Sequence, residues 1–222
     1  MRSAVTTQSN AMTRVYANVA LSVLNSMCVA YLVSKSPAMI EFFLHGPMFW
    51  VILLAPLAMV FVFHAVLQNN ESPFVAHALL HTFAGIMGIG LASAFLAYKP
   101  VLILTALSGT VVLFSTMAVY GMVTKRNLDS LGGFLVVGLI ALIVVGVINI
   151  FVGNSALDFA LSGIGILIFL GFTAYDAQKI QELVSYDSNT NLEVLGALSL
   201  YLDFINLFLN LLKFMAALTA DD

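Results

Sequence analysis

The sequence predicts an all-α integral membrane protein with seven transmembrane helices, and three observations predict it. Hydrophobic residues fill 61% of the 222 positions. Charged residues fill only 9%, against roughly 25% in soluble domains, and the mean hydropathy is +1.04. The apolar residues also fall in long runs divided by short polar connections, and a helix needs about 20 mostly apolar residues to cross the hydrocarbon core. Barrel strands would alternate at period two, and these runs do not.

The stretch Met1 to Thr13 is polar and carries Arg2. It reads as an N-terminal tail before a single transmembrane domain at 14–218. The first span covers Val15 to Val33 and ends at Ser34-Lys35-Ser36-Pro37. It lacks a small-residue cleavage signal and is expected to be a retained span. The second covers Pro47 to Leu67, with Pro56 placed to kink it, and ends at Gln68-Asn69-Asn70-Glu71. The third runs Phe74 to Ala97, the fourth Val101 to Val123 and the fifth Leu131 to Val152. The sixth runs Leu157 to about Ala177, and a polar connection from Gln178 to Asn191 leads to the seventh, Leu192 to Leu218. Residues 219–222 form a short acidic tail.

Loop charge sets orientation, because cytoplasmic loops collect Lys and Arg. Arg2, Arg14, Lys125, Arg126 and Lys179 lie on one side, and Lys35, Lys99 and Lys213 on the other. This favours a cytoplasmic N-terminus. A net charge of -3 leaves no basic footprint for nucleic acid. The single cysteine, Cys28, excludes an intramolecular disulfide and a Cys-rich metal site and reads as a small apolar filler. Gly85, Gly88, Gly109, Gly138, Gly146, Gly163 and Gly165 stand inside spans, where small residues allow close helix packing.

The seventh span carries the chemistry. Ser199, Asp203, Asn206 and Asn210 follow one another at spacings of four, three and four, so they share one helix face. A charge at mid-membrane is costly, and such acids face other helices or a wet cavity. A second acid, Asp176, closes the sixth span. Spans six and seven are antiparallel neighbours, so the two carboxylates can meet at similar depth if the sixth span starts a few residues late. In low dielectric two touching carboxylates cannot both ionise cheaply, so they share a proton and titrate as a pair. Protonated, the pair ties the helices together. Deprotonated, it repels and offers two hard oxygens of the type that suits Ca²⁺. The alternative is that Asp176 is an interfacial residue paired with Lys179, one turn on.

Other polar residues suggest less. His77 and His81, four apart, form a metal pair only with a third ligand. His64 sits in an apolar run, where it packs or joins a proton path. Lys213 invites comparison with retinal proteins, but its place near the helix end suits snorkelling to the interface. Asp203 is preceded by Tyr201-Leu202 and not by the glycine of an intramembrane aspartyl protease. No nucleophile-and-base set, HExxH or GxSxG is present, and no enzyme activity and no cofactor are expected.

Ala197-Leu198-Ser199-Leu200-Tyr201-Leu202-Asp203-Phe204-Ile205-Asn206-Leu207-Phe208 resembles the signature of the Bax inhibitor-1 family. Thr173-Ala174-Tyr175-Asp176-Ala177-Gln178-Lys179-Ile180 resembles that family's sixth-helix segment. Thr124-Lys125-Arg126-Asn127-Leu128 with Gly132-Gly133, and Val147-Ile148-Asn149-Ile150-Phe151, resemble its fourth-to-fifth loop and the end of its fifth helix. The resemblance implies a final helix at the centre of the other six. It also implies a pH-sensitive calcium leak channel in which Asp176 and Asp203 form a di-aspartate sensor and transient Ca²⁺ ligands. Some members carry an arginine late in the second helix, and this chain has none there.

The leading expectation is a proton-regulated cation leak along Ser199, Asp203, Asn206 and Asn210, in a bacterial inner membrane. The alternative is a non-conducting regulator of a membrane-bound ATP-dependent protease or another partner, with the N-terminal tail and the Gln178–Asn191 connection as handles. Proton-coupled solute transport is a third class, and no inverted repeat marks it.

Overall fold

In the computed structural model residues 2–67, 72–186 and 189–219 are described, and every regular element among them is an α-helix. The helices are α1 (Arg2–Lys35), α2 (Pro37–Leu44), α3 (Gly46–Leu67), α4 (Pro73–Ala97), α5 (Pro100–Val123), α6 (Asp129–Val152), α7 (Ser155–Tyr186) and α8 (Thr190–Thr219). Among the described residues six are long and apolar enough to cross a membrane: α1 from Asn10, and α4 to α8. The expected loop at 68–71, positions 187–188 and most of the acidic tail, at 220–222, lie outside the described residues. So do the side chains of residues 2–9 and of His64.

The helix starts follow local chemistry. Ser36 precedes α2 and accepts a hydrogen bond from the Met39 N–H, with Pro37 at the first helical position. Asn127 accepts from the Asp129 N–H at 2.7 Å ahead of α6, and Asn189 accepts from the Leu192 N–H at 3.0 Å ahead of α8. Each supplies an acceptor to backbone donors that a helix start leaves open. Gly153 ends α6 at φ 69°, the left-handed position where a Cβ is strained.

Three elements differ from the expectations. The residues between the first and second spans form α2, not a plain loop, and Ser36-Pro37 was its start signal. The residues 2–13, expected as a tail, are part of α1, and Ala11 and Met12 are buried. The connection from Gln178 is helical to Tyr186. Ala177, Ile180 and Val184 repeat at three and four and are buried, so a packed stripe carries the helix past the point where hydropathy falls.

The chain forms two compact units. One holds the residues up to Lys99 together with Val184–Leu198. Here α4 packs on α1 through Gly88, where an added Cβ would stand 2.9 Å from the Val29 Cβ and from the Ser26 Cα. The contact is sealed by polar groups that find partners inside the helix pair. Ser26 Oγ donates to the Ala84 carbonyl at 2.7 Å, and Asn25 Nδ2 donates to the His81 carbonyl at 2.8 Å. Small residues and interhelical hydrogen bonds are how helices adhere in lipid.

At the end of the same unit Arg14 grips Glu193 in a bidentate pair, Nε to Oε2 at 2.7 Å and a second nitrogen to Oε1 at 2.5 Å. Glu193 is buried and Arg14 is half exposed. Removing the cation takes the compensating charge from a buried carboxylate. Arg14→Ala is therefore expected to lower stability by about 2 kcal/mol, discounted for the wet side of the pair. Glu193→Gln, which keeps an acceptor, should cost less. Thermal unfolding of both variants in detergent checks the order.

The second unit holds Pro100–Leu183 and the residues from Ser199 onward. Its helices approach closely at glycines. Gly121 of α5 lies against the Ala174 carbonyl group of α7. Gly132 of α6 takes the Tyr175 ring, where a Cβ would meet Cζ at 2.7 Å, and Gly171 takes Leu135. The α5–α6 turn is pinned to α7 by Gln178, whose Oε1 accepts from the Leu128 N–H at 2.8 Å and whose Nε2 donates to the Arg126 carbonyl at 2.9 Å. Large apolar side chains point outward, Phe151 being 86% exposed. Such a surface is a liability in water and an asset in hydrocarbon.

Candidate functional site

The site is built on α6, α7 and α8 within the second unit. Ser199, Asp203, Asn206 and Asn210 line one cavity of about 690 Å³, and Asp176 of α7 lines it too. The rest of α8 is apolar and tightly packed: Leu200, Ile205, Leu207, Phe208 and Leu212 are fully buried. Phe204 meets Phe114 edge-on with ring centroids 5.3 Å apart.

Asp176 and Asp203 come together, their carboxyl groups meeting within hydrogen-bonding range. The cause is the length of α7. The helix continues for about 15 Å beyond Asp176, and α8 begins about 20 Å before Asp203, at 1.5 Å per residue. Two antiparallel helices of those proportions bring the acids nearly level. No shift at the start of α7 is needed, contrary to the expectation from hydropathy. Asp203 is 5% exposed, and its Oδ2 has no hydrogen-bond partner among the described residues. A buried carboxylate oxygen is costly without a proton, a donor or a cation to satisfy it.

The pairing of Asp176 with Lys179 is not what the structure draws. Lys179 Nζ instead reaches Asp129 at 3.5 Å and Glu182 at 3.4 Å.

The two asparagines extend an oxygen track from the acids. Asn206 Nδ2 donates to the Leu202 carbonyl and Asn210 Nδ2 to the Asn206 carbonyl, each at 2.8 Å. A backbone carbonyl only accepts, so the amide nitrogen must turn to it, and each Oδ1 is left as an acceptor. Gly165 makes room for this. An added Cβ would stand 2.6 Å from the Asn210 Cγ.

The other end of the cavity holds Asp158, in the first turn of α7, and Lys213 of α8, both exposed. Asn149, near the end of α6, braces that end. Its Nδ2 donates to Asp158 Oδ1 at 2.6 Å and its Oδ1 accepts from the Asn154 N–H at 3.2 Å. Asn149, Asp158 and Lys213 were not read as site residues. The signal for Asn149 was a lone amide in an apolar run. For Lys213 it was the continuing stripe, three residues after Asn210. His77 and His81 lie on α4, and among the described residues no three His, Cys, Asp or Glu side chains come together as a metal cluster.

The helices and the site define a helical integral membrane protein with a carboxyl pair at the buried end of a cavity that has an apolar α6 wall and a polar α8 face. A family model described as "Inhibitor of apoptosis-promoting Bax1" matches residues 8–220. The chain belongs to this family, the Bax inhibitor-1 family. It is 34% identical over 209 residues to the inner membrane protein YbhL of Escherichia coli, covering 91% of this chain and 89% of the relative. An uncharacterized protein of Deinococcus radiodurans is 37% identical over 208 residues, covering 91% and 88%. An uncharacterized membrane protein of Streptococcus pyogenes is 30% identical over 206 residues, covering 90% and 89%.

Proposed function

We propose that this protein is a passive, proton-regulated Ca²⁺ leak of a bacterial inner membrane, working without enzymatic chemistry or a resident cofactor. The observation that carries the reading is the meeting of Asp176 and Asp203 at the buried end of a cavity whose α8 face carries oxygen-bearing side chains. With one shared proton the pair holds α7 to α8 and closes the path. When that proton leaves, two like charges stand side by side in low dielectric and repel. The helices part, and the same oxygens become ligands. Ca²⁺ takes about six to eight oxygens. Two carboxylates and a few amide and hydroxyl oxygens supply fewer, so water completes the shell and the ion passes on without being trapped.

The leak reading takes seven spans, with α3 as the seventh. Its 22 residues contain no charged side chain. It also takes α8 as the central helix. In support, 67% of the apolar window of α8 is buried, against at most 39% in any other candidate span. Lys125 and Arg126 favour a cytoplasmic N-terminus, and the similarity to an inner membrane protein of Escherichia coli favours the inner membrane.

Purified protein in liposomes with a trapped Ca²⁺ dye tests the proposal. Flux is expected to rise several-fold between about pH 6 and about pH 8, because loss of the shared proton opens the pair. Flux no greater than that of empty liposomes across the range would sink it.

A further inference from the structure

The polar stripe of α8 does not stop at Asn210. Lys213 follows at a spacing of three, on the same face, and lines the same cavity. It stands about 15 Å along the helix axis from Asp203 at 1.5 Å per residue, and about 9 Å before the end of α8. The two ends of the cavity therefore differ. Asp203 is buried, whereas Lys213 and Asp158 are exposed. Among the described residues Lys213 makes no ion pair or hydrogen bond. Asp158, the acid at this end, is engaged by Asn149. A lysine whose purpose was only to reach the interface had other faces of α8 available to it. This one is aligned with the oxygen track.

We propose that Lys213 is the charge that sets selectivity at the exposed mouth of the cavity, a tethered ammonium that every cation must pass. The proposal rests on the leak reading and deepens it. Inside a cavity with low-dielectric walls a fixed charge acts more strongly than on an open surface. Repulsion scales with the charge of the ion, so a divalent ion meets twice the opposition of a monovalent one. The oxygen track from Asn210 to Asp203 attracts Ca²⁺, and the ammonium limits how fast it arrives. Such an arrangement makes a slow leak of a path whose ligands would otherwise favour rapid filling. Asp158 offsets part of this field, and Asn149 holds it in place.

The test separates the charge of Lys213 from conduction. Cys28 is the single cysteine, so a Cys28→Ser background carrying Asn210→Cys places one thiol a turn deeper than Lys213. Two methanethiosulfonate reagents of similar size, one bearing a trimethylammonium and one a sulfonate, are applied to the full-length protein in liposomes. With Lys213 present the sulfonate reagent is expected to react faster. Adding Lys213→Gln should lower the sulfonate-to-ammonium rate ratio about tenfold, in proportion to the field of one charge at close range, and Lys213→Arg should keep it. An unchanged ratio in the Gln variant, or no labelling by either reagent, overturns the role of Lys213 whether or not the protein conducts. In the unmodified background Lys213→Gln should raise Ca²⁺ flux at about pH 8 more than K⁺ flux. A parent protein without flux overturns the leak reading, and the labelling ratio still decides what Lys213 does to the mouth.

Discussion

Asp203→Asn is expected to hold Ca²⁺ flux at about pH 8 down to the level the parent shows at about pH 6. Asparagine has nearly the shape of a protonated aspartic acid, so the packing of Tyr201, Phe204 and Phe208 around α8 is kept. It cannot ionise, and its Nδ2 can donate to Asp176 at every pH. A neutral donor on an ionised carboxylate is a charge-assisted bond, so the latch becomes permanent and proton-independent. The ratio of flux at the two pH values should fall from several-fold in the parent to about one. Asp203→Ala removes the donor as well as the charge. It too should lose pH dependence, but without the latch, so its flux at low pH should exceed that of the Asn variant. Asp176→Asn is expected to act like Asp203→Asn, because either partner can donate to the other. If Asp203→Asn is folded by thermal unfolding and retains the parent's pH profile, the acid pair is not the sensor.

The largest structural effect is expected at Gly121. An added Cβ there would stand 2.9 Å from the Ala174 carbonyl carbon and 3.0 Å from its Cα, with the carbonyl oxygen closer still. These are backbone atoms of α7 and cannot swing aside as a side-chain tip can. Gly121→Val should force α5 away from α7 at a cost of about 3 kcal/mol or more, and Gly121→Ala should lie only slightly below it. Gly90→Ala and Gly133→Ala are the controls, since neither position has a heavy atom within 4 Å of the added Cβ. Both should be neutral or stabilising by up to about 1 kcal/mol, the helix preference of alanine over glycine. Unfolding midpoints of the four variants in one detergent give the comparison. Equal midpoints for Gly121→Ala and Gly90→Ala would show that α5 and α7 are not in backbone contact.

Those glycines mark a limit of reading a chain by spacing. Gly88 and Gly165 were picked out and do sit against a neighbour, but Gly85 and Gly146 were picked out and face open space. The close contacts at Gly121, Gly132 and Gly171 were passed over. Nothing local distinguishes a glycine pressed against a neighbouring helix from one facing outward, because the neighbour comes from a different helix, far along the chain. The same holds for Arg14 and Glu193, whose pairing spans 179 positions.

The helical class, the membrane setting and the polar face of the last helix are legible in the amino-acid order alone. Those follow from composition and from a period of 3.6, which are properties of one segment at a time. Ser199, Asp203, Asn206 and Asn210 needed no partner to be recognised as a stripe. Tertiary structure decided what that stripe meets. It set Asp176 level with Asp203 by carrying α7 on to Tyr186. It turned Lys179 toward Asp129, and it placed Lys213 and Asp158 at the exposed end of the cavity. Depth, register and facing depend on where distant helices start and stop and on which small residues let them approach, and no single segment contains that information.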